Sequence, residues 1–260
     1  MHRFRENIKK YYKYALYSAR AELKSDVANS YLSWLWWILE PTAFMLIYLF
    51  ISQIVFSSGE PNFSIFIFIG LTVWNFFNKM ITASVKLIKS NSEIVSKIYV
   101  PKYVLILQKS FVNLFKMFIS WILVAVIMYF LNMPFTFELI YMIPIILTLY
   151  TITFGFCCIV LHFGVFIEDL SNVLNITLKL LFYVSGIFFA IMTKVPAPYN
   201  AILLYFNPIA YIMNDFRLVI ISHQAPNLGL LFMWFIWGYL ITFLGVRLIH
   251  KYENSYAKVV

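Results

Sequence analysis

Long apolar runs separated by short polar stretches dominate this chain. A hydrocarbon core of roughly 30 Å needs about 20 helical residues to cross it. Six runs reach that length, at about 34–56, 63–83, 110–131, 139–162, 173–192 and 229–249. In lipid a single segment satisfies its backbone polar groups only as a helix, so the pattern predicts an all-α membrane protein with six transmembrane helices. Residues 193–228 fit neither a span nor a soluble loop, being apolar yet broken by Pro196, Pro198, Pro208 and Pro226. "AILLYF" and "IAYIMNDFRLVII", either side of Asn207-Pro208, read as two half-helices of an outer re-entrant hairpin between spans five and six. Such a hairpin needs protein or water over its non-helical backbone. Ahead of the first span, "NIKKYYKYALYSARAELKSD" alternates bases with Tyr, Ala and Leu at helical spacing. That predicts an amphipathic helix in the inner interface, bases toward phosphates and rings toward acyl chains. Residues 1–33 thus form an N-terminal cytoplasmic segment, and 34–260 a six-span domain.

Composition agrees. Apolar residues make up 62% of the 260 and charged ones 12%, with mean hydropathy +0.82, which excludes a soluble globular domain. The net charge of +9 is unevenly placed. Lys86, Lys89, Lys97, Lys102 and Lys109 fall between spans two and three and Lys116 at the start of the third, while "SSGEPN" and "NMPFTFE" carry no base. Cytoplasmic loops hold the excess of Lys and Arg, so both termini are expected inside. "GVFIEDLSN" has acids only and is neutral in this respect. Because the basic segments flank spans, nucleic acid is not an expected partner. No cleavable signal peptide is expected, since about thirty polar and charged residues precede the first apolar run. The adjacent Cys157 and Cys158 read as packing residues.

Nothing in the sequence resembles a catalytic constellation. It has no Gly-rich phosphate loop, no paired histidines at metal spacing and no series of membrane carboxylates; His162, His223 and His250 read as structural. No metal or cofactor is expected in this chain, which is read as a transport subunit and not an enzyme. No internal repeat is visible either, unlike many secondary transporters.

Two stripes carry more information. At about 100° per residue, Asn172, Asn175, Lys179, Tyr183 and Gly186 share one face of the fifth span. A lysine facing lipid at mid-span would cost about 2.5–3.5 kcal/mol, so Lys179 faces water, a partner group or an anionic substrate, or snorkels. On the first span Trp34, Trp37, Pro41, Phe44 and Tyr48 share a face. Trp34 and Trp36 suit interfacial anchoring. Phe44 and Tyr48 continue the row inward and would offer ring faces to the C–H faces of sugars. Glu40 would satisfy freed donors or pair with a base of the interfacial helix, and Pro41 would kink the helix. In "SNSEIVSKIYVPKYVLILQKS", Ser-Asn-Ser suggests a helix cap, and Pro101 separates a short helix around Glu93 to Tyr99 from span three. Such a helix suits a groove on a soluble motor, or else rests on headgroups.

"NSYLSWLWWILEPTAFMLIYLFISQIVF", "FIGLTVWNFF", "NSEIVSKIYVPKYVLIL", "EDLSNVLNITLKLLFYVSGIFF" and "LLYFNPIAYIMNDFRLVII" together resemble the membrane subunits of ATP-binding-cassette exporters of lipid-linked polysaccharides, O-antigen, capsule and teichoic acid among them. Glu168 stands where the family often has Arg, and Gly186 where it often has Pro. The resemblance implies a homodimer above two ATPase subunits, which bind the ATP and Mg. It also implies a passage lined by Trp34, Trp37, Phe44, Tyr48, Asn175, Lys179, Phe182 and Tyr183, with Arg20 and Lys24 attracting a diphosphate. A coupling segment would occupy about 88–103, with Asn91, Glu93, Lys97, Tyr99 and Pro101 meeting the ATPase. An outer gate would form in the hairpin at about 193–228, with Asn207, Pro208 and Tyr211. The expected cargo is an undecaprenyl-diphosphate-linked polysaccharide or teichoic acid. A drug or small-lipid exporter permease is the alternative, and a motor-free scaffold or lipid-processing enzyme the reading from another class.

Overall fold

The apolar runs fold as helices, and no strand occurs among the described residues. The computed structural model describes residues 2–28, 32–51 and 62–259. In chain order the helices are α1 (His2–Ala28), α2 (Trp36–Leu49), α3 (Phe63–Val85), α4 (Leu87–Ser90), α5 (Ser92–Lys97) and α6 (Lys102–Phe130). After them come α7 (Met142–Phe166), α8 (Leu170–Val184), α9 (Ile191–Lys194), α10 (Tyr199–Phe206), α11 (Pro208–Ile220) and α12 (Leu228–Val259).

Four helical segments are long and apolar enough to cross a membrane: Phe63–Val85, Lys102–Phe130, Phe137–Phe166 and Leu228–Tyr256. The first and fifth runs give shorter helices, of 14 residues in α2 and 15 in α8. At 1.5 Å per residue each covers only about 20 Å. For α2, residues 52–56 of the expected span lie outside the described residues. For α8 the shortening has a visible cause. The expected span ran to 192, but the helix ends at Val184, and Gly186 then takes φ +70°. A left-handed residue without a Cβ turns the chain out of the helix. The Ser185 hydroxyl secures the last turn by donating to the Leu181 carbonyl at 2.6 Å.

The centre of the bundle is α3, whose first part ("FSIFIFIGLTVW") is apolar and buried on nearly every side, while Asn75, Asn78, Lys79 and Thr82 line one less buried face of its second half. It packs against α2, α6, α7, α8 and α11. Beside it, α7 and α12 lie closest together. Lipid chains are as apolar as leucine, so close packing rather than hydrophobic burial drives helices together in a bilayer, and small residues permit the approach. A Cβ on Gly155 would sit 2.8 Å from the Thr242 backbone nitrogen, and one on Gly245 2.6 Å from Cβ of Cys158. Gly238, Thr242 and Gly245, at helical spacing, therefore form the face of α12 that meets α7. Cys157 and Cys158 are fully buried there, as packing residues would be.

At one end of the bundle α1 lies along α6. Ala15 and Ala19 are buried against the protein, so this face of the amphipathic helix meets protein rather than acyl chains. Its acids anchor it: Glu22 pairs with Lys109 at 2.6 Å and Asp26 with Lys116 at 2.7 Å. Asn7 Nδ2 donates to the Tyr103 hydroxyl at 2.8 Å. Arg20 and Lys24 stay exposed, on the side of α1 away from Glu22 and Asp26.

Candidate substrate passage

The two stripes read from sequence lie on the two short helices, and both helices flank α3. Their rings meet. Phe44 stacks on Tyr48 one turn along α2, with centroids 6.5 Å apart. Tyr48 touches Phe182 of α8 at 6.3 Å and Phe188, beyond the glycine break, at 4.6 Å. Phe182 in turn contacts Tyr183 and Phe188, both at 5.3 Å, and Trp74 of α3 backs it at 5.5 Å. The outcome is a continuous row from Phe44 through Tyr48, Phe188 and Phe182 to Tyr183. Its ends are open, Phe44 being 47% exposed and Tyr183 64%, while its middle is half-buried. Tilted and edge-to-face pairs of this kind hold one another in place, which leaves the exposed faces pre-positioned. Asn175 and Lys179 continue the exposed face of α8.

Phe188 was not among the expected residues. It follows Gly186, and only the turn there folds it back onto Tyr48 and Phe182.

Trp37 leaves the row. Helical arithmetic places it with Phe44 and Tyr48, but its ring stands edge-on to Phe115 of α6 at 5.7 Å, with the Lys116 ammonium 5.8 Å from its centroid. Trp34 lies before α2, in the 3-10 turn Ser33–Leu35, and is 55% exposed. Glu40 pairs with Lys79 of α3 at 3.3 Å, not with a base of the interfacial helix. The two residues sit on neighbouring helices, and the acid thereby ties the start of α2 to the bundle's centre.

Beyond the row, Asn207 and Pro208 form the break expected between half-helices. Pro208 is the first residue of α11, where its missing N–H costs nothing. Asn207 caps that helix, its Oδ1 accepting from the backbone N–H of Ile209 at 3.1 Å and of Ala210 at 3.2 Å. Its Nδ2 donates to the Ser185 hydroxyl at 2.9 Å, joining the start of α11 to the end of α8. Tyr211 is buried and donates to the Asn227 carbonyl at 3.4 Å.

Arg217 of α11 was not singled out in the sequence, although a lone arginine in an apolar segment is a reason to look for its partners. Nη1 donates to the Gly186 carbonyl at 2.8 Å and Nη2 to that of Ile187 at 3.1 Å. Nε and Nη2 both reach the Phe66 carbonyl of α3, at 3.3 and 3.2 Å, and the guanidinium covers the Phe66 ring at 3.4 Å. One buried cation therefore holds the α8 break, α11 and the central helix together.

In the segment from 88 to 103, α5 covers Ser92–Lys97, and Ile98 is already extended. Asn91 does not cap α5; its Nδ2 turns back to the Leu87 carbonyl at 2.8 Å. Glu93, Lys97 and Tyr99 are exposed, while Val95, Val100 and Pro101 are buried beneath them. Tyr99 is fixed from two sides: its hydroxyl donates to Glu253 of α12 at 3.0 Å, and its carbonyl accepts from Tyr11 of α1 at 3.3 Å.

Closely packed apolar helices, four of them long enough to cross a bilayer, define a multi-pass helical membrane protein. The chain is 26% identical over 207 residues to the O-antigen export system permease protein RfbA of Myxococcus xanthus, covering 79% of each protein. It is 25% identical over 240 residues to the protein of that name from Klebsiella pneumoniae, covering 92% of each. No family model matches the chain. The resemblance to export permeases thus extends over most of the chain, which is a relative of the O-antigen export permeases.

Proposed function

We propose that the chain is the transmembrane subunit of an ATP-driven exporter that moves an undecaprenyl-diphosphate-linked polysaccharide or teichoic acid across the bacterial plasma membrane. The observation that carries this reading is the ring row joining α2 to α8, open at Phe44 and Tyr183. A glycan presents alternating apolar C–H faces and hydroxyls. Ring faces bind the former and impose no fixed hydrogen-bond pattern on a chain that slides. In a homodimer two such rows face one corridor, with Asn175 and Lys179 supplying polar contacts along α8.

Arg20 and Lys24 lie on the exposed side of α1, free of the acids that bind it to α6, which suits attraction of a diphosphate. ATP and Mg are held by two copies of a separate ATP-binding-cassette subunit. Its groove receives α5, whose Glu93 and Lys97 point outward above buried Val95. Both chain ends lie on that cytoplasmic side. The α10–α11 hairpin, hinged at Asn207-Pro208, re-enters the membrane from the other side and closes the corridor.

The test is replacement of Phe44 and Tyr48 by Ala in cells, with surface glycan and chain abundance both measured. Delivery should fall by about tenfold at equal abundance, the scale of a lost stacking pair. Unchanged delivery would sink the reading, and drug-stimulated ATP hydrolysis in its place would point to a drug or small-lipid exporter.

A further inference from the structure

Helix α11, of 13 residues, is not one of the four spans, yet it buries a carboxyl group. Asp215 is 1% exposed, and its Oδ2 has no partner among the described residues. No cation pairs with it among them either; the polar group within reach is the hydroxyl of Tyr211, one turn earlier on the same helix. Ile212 and Val219, fully buried, share that side of α11. A carboxylate in such surroundings would lack the donors that replace its water, whereas a carboxylic acid is neutral and carries a donor of its own, so the setting favours the protonated form.

A phenol has one proton to donate. The Tyr211 hydroxyl lies between two acceptors, the Asp215 carboxyl and, at 3.4 Å, the backbone carbonyl of Asn227. With Asp215 protonated, the acid donates to the Tyr211 oxygen and the phenol donates onward to Asn227. With Asp215 ionised, the carboxylate is the stronger acceptor, and the phenol turns from Asn227 to it. Asn227 is the head of α12: its Oδ1 accepts from the N–H of Gly229 at 3.1 Å and of Leu230 at 3.2 Å, and its carbonyl accepts from that of Leu231 at 2.9 Å. Helix α11 packs against α3, α7, α10 and the 3-10 turn Phe137–Tyr141 more than against α12, so this phenol is a fastening between the two. We propose that Asp215 is a proton site governing a latch: a bound proton fastens α11 to the head of α12 through Tyr211, and loss of that proton to solvent loosens the first turn of α12.

The charged groups on the surrounding elements are turned elsewhere. Lys79 of α3 pairs with Glu40, Lys109 and Lys116 of α6 pair with Glu22 and Asp26, and Arg217 holds the carbonyls of Phe66, Gly186 and Ile187. Glu138 of the 3-10 turn stands near Thr136 and His223. On α7, Tyr150 meets Ser110 at 3.3 Å and His162 meets Tyr256 at 2.7 Å. Tyr205 of α10 lies beside Tyr211, with ring centroids 6.4 Å apart.

The test follows purified full-length chain in detergent between about pH 5 and about pH 9, a range in which an exposed carboxylate has already lost its proton. Hydrogen exchange is read at the amides of Gly229, Leu230 and Leu231 and corrected for its intrinsic pH dependence. In the wild type these amides should exchange about tenfold faster at the higher pH, the scale of one lost hydrogen bond. Asp215→Asn keeps a donor beside Tyr211 but cannot ionise, and should show no such change. Tyr211→Phe should exchange fast at both pH values. Infrared difference spectra between the wild type and Asp215→Asn should contain the carbonyl band of a protonated carboxyl at the lower pH and lose it at the higher. A band that is absent at the lower pH or persists at the higher would overturn the proposal. So would exchange that rises equally in the wild type and Asp215→Asn, or stays slow at both pH values in Tyr211→Phe. The comparison of wild type with Asp215→Asn decides the matter even where Tyr211→Phe does not fold, and it involves no cargo, so it stands or falls apart from the export reading.

Discussion

Helices α3 and α8 carry similar proportions of apolar residues but meet opposite fates. In α3 most side chains are buried, including Thr72 and Ser84, whereas in α8 only Leu178 is. Hydrophobicity therefore does not decide which helix forms the centre. The pattern does: α3 is almost wholly apolar from Phe63 to Trp74 and carries Asn75, Asn78, Lys79 and Thr82 only in its second half, while α8 sets Asn172, Asn175, Lys179 and Tyr183 on one face along its length and keeps Leu174, Leu178 and Phe182 for contact with the bundle. A helix with such a ribbon is held by a narrow edge, and its remaining surface is available to a second chain, to water or to cargo. Position in the bundle thus separates residues that keep the fold from residues that stay exposed.

This contrast can be broken experimentally. The largest effect is expected from Gly155→Leu, since the added side chain would begin 2.8 Å from backbone of α12, which does not yield as a flexible side chain would. Overpacking there should cost about 3 kcal/mol or more and abolish the monodisperse peak of purified protein in size-exclusion chromatography. Arg217→Met comes next. It would strip donors from the carbonyls of Phe66, Gly186 and Ile187, at about 3 kcal/mol, and should appear as earlier heat-induced aggregation. On the other side of the contrast, Lys179→Ala should leave thermal stability within about 0.5 kcal/mol, as for exposed substitutions generally, while lowering glycan delivery. A large loss of stability there would place α8 in the core after all. The smallest change belongs to Glu22→Gln: Lys109 and Glu22 are each a quarter exposed, so screening keeps the loss near 1 kcal/mol. Limited proteolysis of α1 should detect it as faster cleavage.

The sequence was most informative where hydropathy and proline decide structure. The runs that became α3, α6, α7 and α12, the short helix before Pro101 and the break at Asn207-Pro208 all follow from residue types read locally. It was less informative where one backbone angle or one distant partner decides. Ser-Gly-Ile-Phe-Phe reads as more of the same apolar span, because hydropathy is blind to the positive φ of Gly186; Phe188 was overlooked for that reason. Helical arithmetic placed Trp37 on a face with Phe44 but gave no account of what that face meets, and α6 claimed the indole through Phe115 and Lys116. Glu40 and Lys79 are 39 positions apart, and nothing local announces that they pair. The same distance separates reading Arg217 as an expensive charge from seeing it clasp three carbonyls.

Tyr99 bridges α1 and α12 by its carbonyl and its hydroxyl, at the foot of a helix that faces outward. A load applied to that loop would therefore be shared at once by the first helix of the chain and the last. Since α12 is 32 residues long, or about 48 Å, it would relay such a displacement along the whole height of the molecule as a stiff rod.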